Sequence, residues 1–299
     1  MSDFYTACQP VPLDQANGLR RLFAGRTHAS QRVLPLVANP HVAVSGLVLD
    51  RVAALLALHG KRVLVVDAGS RSPAPDERAL LDLASVIEPL SPQVAYLPAR
   101  GLPLAHVDTR GSAAGFLDAL AQAAPQADVV LLHADPADLA RIFTHRGARP
   151  LLIAADNPDS IKHAYAAAKL LVHRCGLMTC DLLLAAPPQS TRLESIVTSL
   201  AACLDNFLGA LLHDWALVDP AGDPVQPQGA ASGSADEALG RVLAAQLLLD
   251  DCDAVQPHRP AAAHAGQQRV RLNETRHAMH FATPNTTPTT NRPAPARQG

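Results

Sequence analysis

Residues 33–69 constrain the fold more than any other stretch of the 299-residue chain. They contain an apolar run, a loop, a segment with leucine and valine at helical spacing, and a second apolar run that reaches Asp67. This order is typical of a βαβ unit, and apolar runs without alternation are typical of parallel strands covered on both faces. The stretch therefore predicts the opening unit of an α/β domain with a doubly wound, mostly parallel sheet.

The loop between the two predicted strands, residues 38–46, lacks the residues with which nucleotide-binding members of such folds hold phosphate. A phosphate loop needs glycines, for positive φ and close approach of the backbone, and a lysine to meet the phosphate charge. Here the sequence is ANPHVAVSG, which contains no lysine and has its single glycine, Gly46, at the end. The sequence thus predicts the frame of a phosphate-loop ATPase without its phosphate chemistry.

The composition limits the partners and the compartment. A formal net charge of −2 and an aromatic content of 3% argue against non-specific nucleic-acid binding and against stacking of single strands. The five cysteines form no CxxC pair and give no metal-ligand spacing, which indicates free thiols in a reducing compartment and no metal site. The sequence has no secretory signal pattern and no apolar run of membrane-spanning length, so we expect a cytoplasmic protein.

The pattern predicts one α/β domain over residues 33–220. The predicted strands are 33–38, 61–69, a short one within 94–103, 129–134, 150–156, 181–186 and a last one at Trp215. The predicted helices are 46–59, 76–88, 112–124, 157–176 and 190–212. We expect Leu55 and Leu58 to widen the apolar face of helix 46–59, and Phe207 and Leu208 to face inward.

The composition changes at residue 221, so residues 221–299 form a third region after the domain. Gly, Pro, Ser, Gln and Ala are typical of a linker, and the Pro-, Thr- and His-rich residues 254–299 predict a disordered tail. Residues 236–250 predict a helix with a single arginine and acidic ends. Because anionic lipid favours a basic face, we expect this helix to pack on the domain and membrane contact to be weak or indirect.

The N-terminal region, residues 1–32, contains one amphipathic segment. Within residues 13–26, apolar side chains recur at helical spacing, with Asp14 near the start and arginines toward the end, which suits the helix dipole. A helix of this length is marginal alone. The pattern leaves two interpretations open, a helix packed on its own domain and a helix that forms on a partner.

The string DQANGLR, residues 14–20, resembles the segment that opens the FlhG/FleN regulators of flagellar number, relatives of the MinD/ParA ATPases. In that family the segment activates the GTPase FlhF, and the resemblance implies an FlhF-type partner. Gln15 matches the family glutamine, and a glutamine supplied in trans can orient an attacking water. The activator residues that the resemblance implies are Asp14, Gln15, Ala16, Gly18, Leu19 and Arg20.

A second stretch, NPDSIKHAYAAAKLLVHRCG, is similar to the family pattern P-x-S-x-x-x-A-Y-x-x-x-K. Its spacing indicates a structural role. Against the same family, the two loop lysines fall on Pro40 and Ser45 and the magnesium-binding hydroxyl on Gly46, while the second aspartate after the next strand becomes Gly69. The vestiges of a cofactor site are Asn39, Pro40, Ser45, Gly46 and Asp67. The resemblance therefore implies that binding of ATP and magnesium has been lost.

Three residues near this site have alternative interpretations. Ser45 could still cap the following helix, whose amide end could hold a weak anion. His41 is either a replacement cation or a loop histidine without a ligand role. Asp135 is either a shifted acid or the N-cap of a helix that begins at Pro136, where relatives carry a DTPAG-like switch.

The sequence favours a regulator that binds and stimulates an FlhF-type GTPase on an ATP-independent scaffold. One alternative is an active MinD-like ATPase with a rebuilt phosphate loop. Another is a binding module for a different flagellar regulator or switch protein. We assign no catalytic residue and no metal ligand.

Overall fold

The computed structural model describes residues 31–221 and 230–249 of the chain, and the side chains of the second range from residue 235. The DQANGLR segment and the tail predicted over residues 254–299 lie outside the described residues. The structure therefore bears on the α/β domain and on the helix that follows the linker.

The described residues form a single eight-stranded sheet with helices on both faces. The strands are β1 Arg32–Val37, β2 Val63–Ala68, β3 Glu88–Pro89, β4 Val94–Pro98, β5 Val129–Ala134, β6 Leu151–Ala155, β7 Thr179–Ala185 and β8 Leu211–Val218. The helices are α1 Ser45–Leu58, α2 Leu102–Ala105, α3 Gly115–Ala123, α4 Pro136–Ile142, α5 Pro158–Cys175, α6 Leu193–Leu208 and α7 Ala230–Leu247. Two short 3₁₀ turns cover Glu77–Leu80 and Leu83–Val86.

The strand order is β3-β4-β2-β5-β1-β6-β7-β8, and every neighbouring pair is parallel except β3 with β4. From β1 the chain runs outward through β2 to the β3 edge and returns to place β5 beside β1. It then crosses to β6, β7 and β8 on the other side. This confirms the predicted doubly wound, mostly parallel α/β fold. It also makes β1 a central strand, where the two halves of the sheet diverge.

Each central strand contributes apolar side chains to a core on either face of the sheet. Leu34 and Val65 belong to the core under α1, whereas Leu64 and Leu132 belong to the core under α3. A strand buried on both sides has no solvent-facing position, so its sequence shows no alternation. This explains the continuous apolar runs from which the strands were predicted.

Two predicted helices differ from the structure. The helix expected over 76–88 is two 3₁₀ turns, because the side chains of Asp76 and Asp82 accept from the amides of Arg78 and Ala84 and start a separate turn each. The helix expected over 190–212 ends at Leu208, where Gly209 adopts φ 61°.

Two predicted inward-facing side chains also differ. Phe207 and Leu58 are 75% and 76% exposed, so the expectation that they face the core was wrong. Both lie in the last turn of a helix, where Leu56 and Leu208 make the contact with the core instead. Leu208 and Leu55 are partly buried against the two cores, as expected.

The predicted C-terminal helix packs on the domain, which confirms that expectation, although it begins at Ala230 rather than at 236. Leu239, Val242 and Leu243 are buried in the core that α1 also covers. The Arg51 guanidinium on α1 donates to both carboxylate oxygens of Asp236 at 2.6 Å. The helix is therefore held by apolar burial and by charged hydrogen bonds. Among the described residues, none of the helices is long and apolar enough to cross a bilayer.

A buried polar cluster also links α7 to the sheet. Asp181 on β7 is fully buried, and its carboxylate lies 3.0 Å from the Arg149 Nε and accepts from the Gln246 amide at 2.7 Å. Burial raises the pKa of Asp181, against the opposing effect of the Arg149 charge and of hydrogen bonds from Gln246 and His213. Gln246 also donates to the Arg149 carbonyl, so one α7 side chain links β7 to the segment that leads into β6.

Candidate functional site

The carboxyl ends of β1, β2 and β5 lie side by side and bring three loops into one cleft. The register pairs Val37 with Ala134 and Asp67 with His133, so the residues that follow these strands meet at the same edge of the sheet. The cleft occupies about 230 Å³, including the part open to solvent, below the usual size of a small-molecule site. Its lining residues are Ala38, Asn39, Pro40, Ser45, Gly69, Ser70, Arg71, His133 and Asp135.

Asn39 fixes the loop after β1 from inside. Its buried side-chain amide donates to the carbonyls of Ile153 and Ser160 at 2.8 and 2.9 Å, and its Oδ1 accepts from the His41 amide at 3.1 Å. The Val42 amide donates to the Asn39 carbonyl, and the Val42 side chain is 1% exposed. Two loop amides that would face a ligand in a phosphate loop are therefore used within the chain.

The loop backbone also has an ordinary conformation. None of residues 38–46 has a positive φ; His145 is the one non-glycine residue with positive φ in the described part of the chain. On the outside, Arg71 Nη1 donates to the Pro40 carbonyl at 2.6 Å, and Asn157 Nδ2 donates to the His41 carbonyl at 3.2 Å. The loop is thus fastened from both sides by neighbouring side chains.

Helix α1 starts at this cleft without a side-chain cap. Ser45 is its first residue and Val44 occupies the N-cap position, so the expectation that Ser45 caps the helix was wrong. The first amide that bonds back along this helix is that of Val48, to the Val44 carbonyl. The earlier amides of the first turn have no intrahelical partner and add partial positive charge at the cleft.

Asp67, at the end of β2, is held by three donors. His133 Nδ1 lies 2.6 Å from Oδ1, the Ser72 hydroxyl donates to the same oxygen, and the Tyr96 hydroxyl donates to Oδ2 at 3.3 Å. Burial alone would raise the pKa of Asp67, but the hydrogen bonds from His133, Ser72 and Tyr96 outweigh it and leave that pKa lowered. Burial and the Asp67 charge raise the pKa of Tyr96. Asp67 is therefore an ionised acceptor in the folded protein.

His133, at the end of β5, is the site residue that the sequence did not reveal. It is 5% exposed, and its Nε2 is buried without a hydrogen-bond partner. Because Asp67 engages Nδ1, Nε2 is the ring nitrogen that is left without a partner among the described residues. The signal available in the sequence was a histidine at the end of a strand that ends in an aspartate in the family it resembles.

Gly69 and His133 fit each other sterically. A Cβ at Gly69 would lie 3.1 Å from the His133 Cε1 and 3.2 Å from the Ser72 Oγ. Any side chain at 69, including the aspartate of the family pattern, would push against the buried imidazole. A side chain at residue 69 and the buried imidazole of His133 would therefore compete for the same space.

Asp135 combines the two interpretations that the sequence left open. It occupies the N-cap position of α4, with Pro136 as the first helical residue, but its side chain makes no capping bond. One carboxylate oxygen accepts from the Ser70 hydroxyl at 3.3 Å, and the carboxylate lines the cleft. Asp135 thus marks the helix start and also supplies an acidic group to the site.

The structure brings together four of the five predicted vestiges. Asn39, Pro40, Ser45 and Asp67 lie at or beneath the cleft, whereas Gly46 lies in α1 and does not line it. Within the described residues, no group of three or more His, Cys, Asp or Glu side chains is suited to a metal ion.

The stretch with the second family pattern is helix α5, and it is structural as expected. Asn157 caps the helix by accepting from the Ser160 amide at 2.8 Å. Ser160 is fully buried, and its hydroxyl accepts from the Ala155 amide at 2.6 Å. Ala164 and Ala168 are buried in the core. This helix start supports the loop after β1, because the Ser160 carbonyl is one of the acceptors for Asn39.

Solved structures of low sequence identity share this fold. Cobyrinic acid a,c-diamide synthase from Mycobacterium smegmatis, with bound ADP and magnesium, aligns with a TM-score of 0.50 and 15% identity over 71% of this chain and 94% of that chain. A structure of the MinC:MinD cell division protein complex from Aquifex aeolicus gives 0.49 and 13%, over 72% and 96%. A plasmid partition protein from Borrelia burgdorferi gives 0.48 and 9%, over 72% and 98%.

No protein family model matches the chain, and no curated protein matches it. At the identities given above, the likeness concerns the fold alone, an α/β fold with a mostly parallel sheet that this chain shares with the cobyrinic acid a,c-diamide synthase. The chemistry of the site must be argued from the residues of this chain.

Proposed function

We propose that this protein is a regulator whose N-terminal segment binds and stimulates an FlhF-type GTPase, and that it thereby helps to control flagellar number or placement. The observation that carries the proposal is the DQANGLR string, residues 14–20, ahead of a domain with a MinD/ParA-like fold. The order of segment and domain is that of the flagellar regulators which the sequence resembles. The proposal includes a cytoplasmic location, as the sequence predicts.

In this proposal Gln15 acts at the GTPase site of the partner. A side-chain amide can both accept from and donate to the attacking water, and an in-trans group of this kind raises GTP hydrolysis by ordering the site. Leu19 belongs to the apolar stripe of the same segment and contributes to docking. The two residues therefore have separable effects on turnover and on affinity.

We further propose that the scaffold works without ATP. The loop has no lysine, Asn39 engages two of its backbone groups, and the position of the second family aspartate is a glycine packed against His133. Loss of charged contacts to a triphosphate costs several kcal/mol of binding. Calorimetric titration of the full chain with ATP and magnesium tests this, and micromolar binding would favour the alternative of a rebuilt ATPase.

The activator role is tested by GTP hydrolysis of an FlhF-type GTPase with the full chain added at increasing concentration. Gln15→Ala should lower the maximal stimulation with little change in half-saturation, and Leu19→Ala should raise the half-saturating concentration. Gln9→Ala is the matched control, since it removes the same side chain outside the motif. Equal stimulation by the wild type and Gln15→Ala would exclude the proposed role of this glutamine.

Binding without stimulation would point to the other candidate, a module for a different flagellar partner. Deleting residues 1–26 separates the two functions. The activator proposal expects the deletion to abolish GTPase stimulation. A retained interaction with another flagellar protein would assign that interaction to the α/β domain.

A further inference from the structure

Three large apolar side chains are exposed at the amino ends of β7 and β8. Met178 precedes β7, Phe207 lies in the last turn of α6, and Leu211 begins β8; they are 42%, 75% and 58% exposed. The Leu211 amide donates to the Met178 carbonyl at 2.8 Å, and the Met178 Cε lies 3.9 Å from the position of a Cβ at Gly209. The three side chains thus surround the turn from α6 to β8, and we call them the α6–β8 surface.

The aromatic ring at the centre of this surface is unusual for the domain. Within the described residues, Phe207 is the one phenylalanine or tryptophan that is more than half exposed. Phe116 and Phe143 are buried, and Trp215 packs partly against the core. Because burial of an aromatic side chain is strongly favourable, an exposed ring among other apolar side chains is typical of a site that another segment covers.

The end of α6 beside this surface carries uncompensated negative charge. Asp205 is exposed, and its carboxylate forms no hydrogen bond or ion pair within the described part of the chain. The last turn of α6 contains no basic side chain, whereas the last turn of α5 contains His173 and Arg174. Since the carbonyls at a helix C-terminus hold partial negative charge, cationic side chains would be stabilised at this end of α6. The surface therefore suits a segment that is both apolar and basic.

A segment with both properties precedes the domain, at residues 13–26, outside the described residues. Its sequence, LDQANGLRRLFAGR, places Leu19, Leu22 and Phe23 in an apolar stripe at helical spacing. The same segment contains three arginines and a single aspartate. An amphipathic segment of this length is marginal alone and gains stability when its stripe is covered.

The position of β1 brings this segment within reach of the α6–β8 surface. The register across β1, β6, β7 and β8 places Leu211 level with Leu34. Arg32 therefore lies roughly 7 Å beyond the level of Leu211 and three strand spacings, roughly 14 Å, to its side, which makes the two points about 16 Å apart. Residues 27–31 span up to about 17 Å when extended. The segment can thus meet this surface on its own domain.

We propose that the α6–β8 surface docks residues 13–26 of the same chain, with the apolar stripe on Phe207 and the arginines beside Asp205. The stripe that includes Leu19 cannot contact this surface and a GTPase at once. Docking therefore holds the activator segment on its own domain until a partner displaces it. This autoinhibition rests on the proposed activator function, whereas the docking itself does not.

Hydrogen exchange of the full chain, read by mass spectrometry, tests the docking without any partner. Phe207→Ser should speed the exchange of the amides of residues 13–26 by about tenfold or more, because it removes the aromatic contact. Leu22→Ser, outside the DQANGLR string, should have the same effect from the other side of the contact. Leu81→Ser is the matched control, since Leu81 is 91% exposed and precedes β3, at the opposite edge of the sheet from β8.

Equal exchange over residues 13–26 in the wild type and in Phe207→Ser would overturn the proposal. A dimer in sedimentation velocity that Phe207→Ser dissociates would also overturn it, because the surface would then belong to a contact with a second copy. In the GTPase assay, Phe207→Ser should lower the half-saturating concentration relative to Leu81→Ser, and an unchanged value beside faster exchange would exclude autoinhibition. Absence of stimulation by every version would refute the activator function, while the exchange result would still decide the docking.

Discussion

Placing a side chain at Gly69 tests how tightly residue 69 packs against His133. In Gly69→Ala, the new Cβ would lie 3.1 Å from the His133 Cε1 and 3.2 Å from the Ser72 Oγ, both closer than ordinary contact. Neither neighbour can shift easily, because the Ser72 hydroxyl and the His133 Nδ1 are both hydrogen-bonded to Asp67 Oδ1. The φ of Gly69 lies outside the left-handed region, so the cost is steric and should be about 1–3 kcal/mol of unfolding free energy.

The assay is urea unfolding of Gly69→Ala beside Gly46→Ala. A Cβ at Gly46 meets nothing within 4 Å, and Gly46 lies in α1, so that control should be neutral or slightly stabilising. In the background of His133→Ala the cost of Gly69→Ala should shrink, which gives a coupling energy of about 1–2 kcal/mol. Equal unfolding midpoints for the two glycine variants, or additive effects of the changes at 69 and 133, would refute the reasoning.

Three further predictions concern stability. The pKa of Asp67 is lowered in the folded state, so the ionised carboxylate stabilises the fold above about pH 4, and this stabilisation is lost as pH falls through the folded pKa. In urea titrations the difference in unfolding free energy between the wild type and Asp67→Asn should therefore shrink between pH 6 and pH 3. Asn39→Ala removes the buried amide that donates to the carbonyls of Ile153 and Ser160 and should cost about 2–4 kcal/mol by the same method, and a loss below 1 kcal/mol would contradict this. Arg51→Ala removes the bidentate bond to Asp236 and should speed hydrogen exchange in α7 more than in β5, whereas equal acceleration would contradict local docking.

The central part of the fold could be predicted because its signal is local. β2 and β5 each begin with four consecutive apolar residues, and such runs between segments of helical periodicity are typical of parallel strands buried on both faces. The expected bounds of β1, β6 and α1 were within two residues of the structure for the same reason. The packing of α7 was predictable from its charge pattern, since it has an apolar stripe and no basic face.

The errors arose where local geometry competes with periodicity. Asp76 and Asp82 bond to nearby amides and convert an apparent helix into two turns. Gly209 stops α6 before the pattern of apolar residues stops. A sequence period shows which residues suit a helix, but it does not show where a cap ends it.

The site was predictable only in part, because its main contact is not local. Asn39, Pro40, Ser45 and Asp67 were expected near one another from the order of strand and loop. The bond between Asp67 and His133 joins residues 66 positions apart, and it depends on β2 and β5 being neighbours in exact register. Only the strand order, with β5 between β1 and β2, makes that pairing visible.

The loop after β1 differs from a phosphate loop in how its backbone groups are satisfied. In a phosphate loop the amides point at the ligand, so the loop depends on the ligand for its hydrogen bonds. Here Asn39 accepts from His41 and receives the Val42 amide at its carbonyl, while Arg71 and Asn157 donate to the loop carbonyls. A loop whose bonds are made within the chain needs no nucleotide to become ordered.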